Sequence, residues 1–366
     1  MMCSNNLSLL LTERNLPSLL AMQDGRAVTA ENWEERRKEL VGILSKNIFG
    51  QIPVPCGPTI WREVSRDVNA AGKAITRKVE ITVPTSCGED FTFPVSVTIP
   101  TSATQTAPKP AIVFISFGYP KYYPIEELVD EQVTVAEMVM NDVALDKEDN
   151  YENLLAKNLF PDGKRPADGT GKLGMWAFAA SRVLDYLLSL ECVDKTRVAV
   201  AGHSRLGKTA LWAGANDSRF THIFSNDSGC AGAAITRQKV GENFPDIYGR
   251  FPYWFCPNMQ QHCQTADDIN QQDFDMHYLL AASAPRKVYV SSAQQDQWAD
   301  PNSEFLCCVA ASQVWQMLGG KGLICEDRLP QPADCFQNGN VGYHLRTGTH
   351  FLSRQDWTLF CKFLKK

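Results

Sequence analysis

The stretch that most constrains this chain is Arg197-Val-Ala-Val-Ala-Gly-His-Ser204-Arg-Leu-Gly207-Lys208, in which an apolar run passes through Gly-x-Ser straight into a helical pattern. A strand that becomes a helix within one residue strains the backbone at the serine. It also needs small residues at Gly202 and Gly207, where strand and helix backbones close on each other. Such a turn lifts the Ser204 hydroxyl above the sheet, at a helix N-terminus whose N–H groups favour negative charge. The amide of Arg205 then becomes a candidate oxyanion donor. The spacing Gly-x-Ser-x-x-Gly is one residue off the commonest nucleophile elbow, and the competing reading is a serine that merely caps a helix.

The rest of the chain repeats the alternation. Ala111–Ser116, Arg197–Ala201, His222–Ser225 and Lys287–Ser292 read as buried strands, and Gly171–Leu190, Arg205–Ala215, Pro301–Leu318 and Gln355–Leu364 as helices. That order predicts an α/β fold: a mostly parallel central sheet with helices on both faces, a three-layer αβα sandwich. Ahead of it, Ala74–Val83 and Phe91–Ile99, joined by a turn over residues 86–90, predict an antiparallel start. Glu31–Phe49 has helical spacing of Trp33, Leu40, Ile43 and Leu44, with Thr29 as a candidate cap. The expected organisation is one domain over 1–366, with a helical extension over 1–60. Residues 228–284, too long and aromatic for a plain connection, are expected to form an insertion over the site.

Composition narrows the function classes. With 44% hydrophobic and 21% charged residues the chain is an ordinary globular one. A net charge of −5 and no basic run longer than Arg36-Arg37-Lys38 argue against nucleic acid or an anionic membrane as partner. The run Leu7–Leu11, broken by Ser8, is too short for a bilayer and follows no basic segment. Twelve cysteines are scattered without a Cys-x-x-Cys or His-x-x-x-His pair, which predicts mostly reduced thiols and no structural zinc. A cytoplasmic location is favoured on these grounds, and secretion would require a leader.

Several motifs then converge. Gly202-His-Ser-Arg-Leu-Gly-Lys-Thr-Ala-Leu-Trp-Ala-Gly-Ala215, Asp227-Ser-Gly-Cys-Ala-Gly232, Pro252-Tyr-Trp-Phe255, His344-Leu-Arg-Thr-Gly-Thr-His350 and Asp356-Trp357 resemble the glucuronoyl esterases of carbohydrate esterase family fifteen, bacterial branch. The resemblance runs from about Trp33 to the C-terminus. It implies an α/β-hydrolase fold and a Ser-His-acid triad cleaving the ester between glucuronic acid of xylan and a lignin-type alcohol, with no metal or organic cofactor. The implied partner is a glucuronoxylan-derived oligosaccharide or a lignin–carbohydrate ester, with no obligate protein partner.

A serine needs a base, which in this fold follows it in the order Ser, acid, His. Of six histidines, His203 adjoins the nucleophile, His222 opens a strand, and His262 and His277 lie in the insertion. His350, in a Gly-Thr-His loop before the terminal helix, is the expected base and matches the family pattern; His344 is the alternative. Two acids compete. Asp296 follows the strand ending at Ser292, where most such hydrolases place their acid. Asp227 stands before Ser-Gly, where many family members carry the longer glutamate. Asp296 is the preferred one, and both are within the expected reach of His350. Asp300 remains a lesser candidate, its Asp-Pro-x-x-Glu context reading as a helix cap with Glu304. By resemblance, Arg205 adds charge near the oxyanion, Lys208 presents an ammonium to sugar hydroxyls, and Trp254 offers a ring face with an N–H at its edge. Arg237 and Gln238 are weaker candidates to meet the polymer or a carboxylate. The same machinery would serve an acetylxylan or other carbohydrate deacetylase, and a non-enzyme reading is a carbohydrate-binding relative that has lost turnover.

Overall fold

Ten strands form one sheet: β1 (Ile60–Asn69), β2 (Ala74–Pro84), β3 (Asp90–Pro100), β4 (Lys109–Ser116), β5 (Thr134–Val139), β6 (Val193–His203), β7 (His222–Asn226), β8 (Lys287–Ala293), β9 (Cys335–Phe336) and β10 (Val341–Arg346). Their spatial order is β1-β2-β3-β5-β4-β6-β7-β8-β10-β9. Strands β5, β4, β6, β7, β8 and β10 pair in parallel, while β1, β2 and β3 enter antiparallel and β9 closes the far edge antiparallel. These are the relations expected of a chain that begins with a hairpin and continues through helical crossovers. The computed structural model describes residues 6–86, 88–119, 123–265 and 268–366; Cys3, Cys87 in the expected 86–90 turn, and residues 266–267 of the insertion lie outside them.

The helices are α1 (Leu7–Arg14), α2 (Trp33–Leu44), α3 (Ile125–Asp130), α4 (Leu154–Leu159), α5 (Lys172–Ser189), α6 (Arg205–Asn216), α7 (Phe244–Arg250), α8 (Asp268–Gln271), α9 (His277–Ala281), α10 (Pro301–Met317) and α11 (Arg354–Leu364). Side chains alternate across a strand, so β4 feeds two cores. Ala111, Val113 and Ile115 join the larger cluster with α5, α6 and α10, while Ile112 and Phe114 join the smaller one with Leu128 of α3 and Trp357 and Phe360 of α11. This is the three-layer sandwich. Burying one such aliphatic side chain contributes about 1.5–3 kcal/mol, so a β4 with both faces covered anchors the sheet.

Some local expectations need correction. Thr29 does not cap α2; its own N–H donates to Asn32 Oδ1 (2.7 Å), and the helix ends in a π turn over Ser45–Phe49. The sequence pattern gives no range for β1, β5, β9 or β10. The β1 strand is exposed at nearly every position, so it lacks the apolar alternation that marks a strand. Buried Glu137 interrupts the apolar reading of β5, where it accepts from Ser116 Oγ (2.9 Å) and Tyr123 Oη (2.7 Å). Within 228–284, Ser228, Gly229, Glu242, Arg250, Phe251 and Trp254 line the cleft described below, whereas α9 packs against α10, α2 and α6. The ten cysteines among the described residues are all free thiols, and no helix among those residues is long and apolar enough to cross a membrane.

The elbow is built as its glycines require. A Cβ on Gly202 would lie 2.0 Å from the Leu206 carbonyl oxygen, and one on Gly207 would meet Ser225 Oγ and Ser228 Cβ at 3.0 Å. Backbone atoms cannot swing aside, so Gly202→Ala is expected to destabilise the fold by about 3 kcal/mol or more. Gly249→Ala meets nothing within 4 Å and serves as the control. Thermal or urea unfolding of the two variants measures the difference.

Candidate active site

Ser204 lies between β6 and α6 with φ 58° and ψ −128°, a setting that costs an L-residue about 1–3 kcal/mol and persists only where surroundings enforce it. Its N–H donates to the Asn226 carbonyl (2.9 Å), tying the turn to the end of β7. The amides of Arg205 and Leu206 open α6 and have no preceding helical turn to accept them, which makes them donors for an anion.

His350 comes from the loop after β10. Its Nε2 lies 2.9 Å from Ser204 Oγ, and its Nδ1 lies 2.6 Å from Asp296 Oδ2, in the loop after β8. Burial alone would raise the Asp296 pKa, but the bond to His350 and its charge outweigh it and hold the carboxyl below its ordinary value. His203 lies beside His350, ring centres 4.6 Å apart, with Nδ1 2.6 Å from Asn226 Oδ1. Burial, then the neighbouring His350, push its pKa down to about 3, so it adds no second positive charge beside the base at neutral pH.

Asp227 is not bonded to His350. Donor atoms of Asp227, Asp296 and His350 lie within 4.8 Å of one another, close enough to hold a metal ion. Each is nevertheless already engaged. Asp227 Oδ1 accepts from the Ala293 amide (2.8 Å), and Oδ2 from Arg346 Nη2 (3.3 Å) and the Phe351 amide (3.4 Å). Being one methylene shorter than glutamate, the side chain stays with these donors at the base of the loops carrying Asp296 and His350. Burial, with Glu304 and Asp296 nearby, raises its pKa, and Arg346 opposes that shift. Arg346 also donates to the carbonyls of Thr347 (3.3 Å), Thr349 (3.1 Å) and Phe351, so the His350 loop wraps its guanidinium.

The lesser candidates part company with the site. His344 is buried between Tyr289 Oη (3.0 Å) and Asp356 Oδ1 (2.8 Å). Asp300 caps α10 through the Ser303 amide (3.1 Å), but Glu304 does not complete that cap. Glu304 is wholly buried instead, accepting from the Gly229 amide (2.8 Å) and Ser292 Oγ (2.6 Å), and burial pushes its pKa up to about 7. Arg237 donates to the Gln272 carbonyl and Gln238 to the Glu13 carbonyl (2.6 Å). Neither lines the cleft.

That cleft, about 350 Å³, opens over Ser204 and His350. Lys208 lines it, almost wholly buried, donating to the Ser228 carbonyl (2.5 Å) with Glu242 4.0 Å away. Burial lowers the Lys208 pKa and Glu242 works against that shift. Arg205 is held by Asp146 and lies over the Trp254 ring at 4.7 Å, with its Nε unpartnered. The Trp254 N–H donates to Asp146 Oδ1 (2.6 Å), and its ring is stacked 4.0 Å from that of Phe251, so both the expected N–H and the ring are already engaged within the protein. Sequence reasoning missed Asp146, Glu242, Arg250, Phe251 and Trp298. Asp146 hides in the charged run Asp146-Lys-Glu-Asp149, while Trp298 carried a usable signal in standing two residues past Asp296; in the structure it donates to Glu242 Oε1 (3.2 Å).

A serine on a strand-to-helix elbow, facing a histidine and an aspartate carried on later strand ends, defines a serine hydrolase of the α/β-hydrolase fold. A family model described as glucuronyl esterase, fungi, matches residues 71–319. The chain is 31% identical to a carbohydrate esterase of an unknown prokaryotic organism, over 95% of this chain and 88% of that one. It is 28% identical to a 4-O-methyl-glucuronoyl methylesterase of Schizophyllum commune, over 83% and 74%. Among solved structures, a glucuronoyl esterase from Solibacter usitatus superimposes with TM-score 0.84 at 30% identity, over 96% of this chain and 97% of that one. One from Teredinibacter turnerae gives 0.86 at 27%, over 98% and 90%. The chain belongs to the glucuronoyl esterase family, carbohydrate esterase family fifteen.

The bonding pattern separates the two acids. Asp296→Asn is expected to lower kcat by roughly a thousandfold or more, because a neutral partner no longer orients and stabilises the imidazolium. Asp227→Asn leaves the Asp296–His350 bond in place and is expected to cost about ten times less. Steady-state kinetics on purified variants decides it, and equal losses would show that the two carboxylates share the role.

Proposed function

We propose that the protein hydrolyses esters whose acyl group is a glucuronic acid carried on xylan-type carbohydrate, through an acyl-enzyme on Ser204. His350 Nε2 takes the Ser204 proton as Oγ attacks the ester carbonyl carbon, and Asp296 holds the imidazole in the tautomer that can accept it. The amide of Arg205, with its guanidinium nearby, receives the oxyanion; one such donor is commonly worth about 3 kcal/mol. His350 then protonates the departing alcohol. Water, deprotonated by the same nitrogen, releases the uronate and restores Ser204.

The observation that carries this reading is the chemistry of the cleft beside the serine. Lys208, Glu242 and the Trp298–Glu242 hydrogen bond place charged and hydrogen-bonding groups next to Ser204, an arrangement suited to a sugar acid with several hydroxyls. An acetyl group in the same place would set a methyl against a buried ammonium and a carboxylate and use none of their remaining hydrogen-bonding capacity. The deacetylase reading is therefore disfavoured. The finer choice, an oligosaccharide from glucuronoxylan over an intact lignin–carbohydrate ester, rests on the modest cleft volume of about 350 Å³, which suits a single sugar residue and its substituents.

Two variants test the reading. Ser204→Ala is expected to stay folded and lose ester turnover almost entirely, leaving only binding and oxyanion terms; near-normal hydrolysis would end the proposal. Lys208→Ala is expected to lower kcat/KM for a benzyl glucuronate ester about ten- to a hundredfold, the worth of a hydrogen bond to a charged group. A small aryl acetate should change far less. Equal slowing of both substrates would mean that Lys208 supports the elbow and does not read the sugar.

A further inference from the structure

Lys172 is the first residue of α5 and is wholly buried. A helix N-terminus disfavours a cation, and burial disfavours it further. Its three N–H donors are nevertheless all answered: Nζ donates to the carbonyl of Leu145 (2.7 Å), to the carbonyl of Lys147, and to Asp149 Oδ1 (2.7 Å). The Tyr253 and Tyr151 rings approach it at 5.0 and 5.5 Å, within the range where an aromatic face attracts a cation. The ammonium thus does for this loop what a bound ion does elsewhere. It gathers oxygens from a segment without regular structure and holds them at fixed separations.

The two carbonyls it holds flank Asp146. That residue spends both carboxylate oxygens on the cleft, Oδ2 on Arg205 Nη1 and Oδ1 on Trp254 Nε1. Its own amide is held by Asn141 Oδ1 (2.9 Å). Building on the esterase reading above, we infer that Lys172 is a positioning residue for the reaction: by clamping the backbone on either side of Asp146 it sets the Arg205 guanidinium over Trp254, beside Ser204, before substrate arrives. Arg205 contributes to the transition state only if its charge is already aimed, because reorganising a guanidinium during the reaction would cost the stabilisation it provides. An aliphatic residue at 172 removes the three bonds and frees the 145–149 loop, without touching the cleft or the Ser204–His350–Asp296 set.

The test is a double-mutant cycle in the full chain with a benzyl glucuronate ester. Lys172→Met is expected to lower kcat about ten- to a hundredfold with KM changed less than threefold, since a misplaced oxyanion donor is felt in the transition state. Combined with Arg205→Ala, it should add less than threefold to the loss from Arg205→Ala alone, because it acts through that guanidinium. Losses that multiply in the double variant, or a Lys172→Met protein with wild-type kcat, overturn the inference. If Lys172→Met does not fold, Asp149→Ala, which removes one of the three acceptors, is read in the same cycle with the same criteria and a smaller expected loss. Absence of glucuronate-ester turnover in the wild-type protein, or an Arg205→Ala variant with undiminished activity, would instead count against the esterase reading itself.

Discussion

The strained backbone of Ser204 is the constraint around which the rest is arranged. A residue at φ 58° and ψ −128° returns to a common conformation unless its neighbours hold it, and here the restraint comes from three directions. The Asn226 carbonyl takes its amide. Gly202 lets the first turn of α6 press against β6, and Gly207 lets α6 approach the end of β7. Each restraint lies on an element buried in the sandwich, so the packing of the whole sheet is what holds one hydroxyl above it. The stability of the fold and the exposure of the nucleophile are one problem.

The carboxylates beneath the site divide their tasks by what surrounds them. Asp296 has the imidazole and a depressed pKa. Asp227 is surrounded by N–H donors and joins the loops after β8 and β10 from below. Glu304, deeper still, supports the turn at Gly229 and the end of β8. Three acids so close together repel one another, and Arg346, donating to Asp227 on one side and Asp356 on the other, offsets part of that repulsion. A buried guanidinium between two carboxylates also fixes geometry, since its planar fork allows few alternatives.

What could be read from the sequence follows from where each signal resides. The elbow was legible because strand, turn and helix are contiguous and the glycines have a steric reason to be there. The parallel core was legible because buried strands are continuous apolar runs. Strand β1 was not, because it pairs with β2 alone, is exposed at nearly every position and carries Arg62, Glu63, Arg66 and Asp67. The choice between Asp227 and Asp296 stayed open because it depends on a distance between loops far apart in the chain. Asp146 could not be found at all. Its role rests on a contact with Arg205, 59 positions away, and local composition only marks it as one more acid in a charged loop.

Lys208 and Trp298 share the supports of Ser204 and Asp296, but several other groups that face the rest of the ligand stand elsewhere. Ser204, Asp296 and His350 leave the C-terminal ends of β6, β8 and β10, strands locked side by side or one apart in the sheet. Glu242, Phe251 and Trp254 come from the long excursion between β7 and β8, and Asp146 from the connection after β5. The chemical step and part of the choice of acyl group are therefore separable inheritances. Lineages that keep the strand ends and exchange the excursion could acquire new substrates without rebuilding the apparatus that breaks the bond.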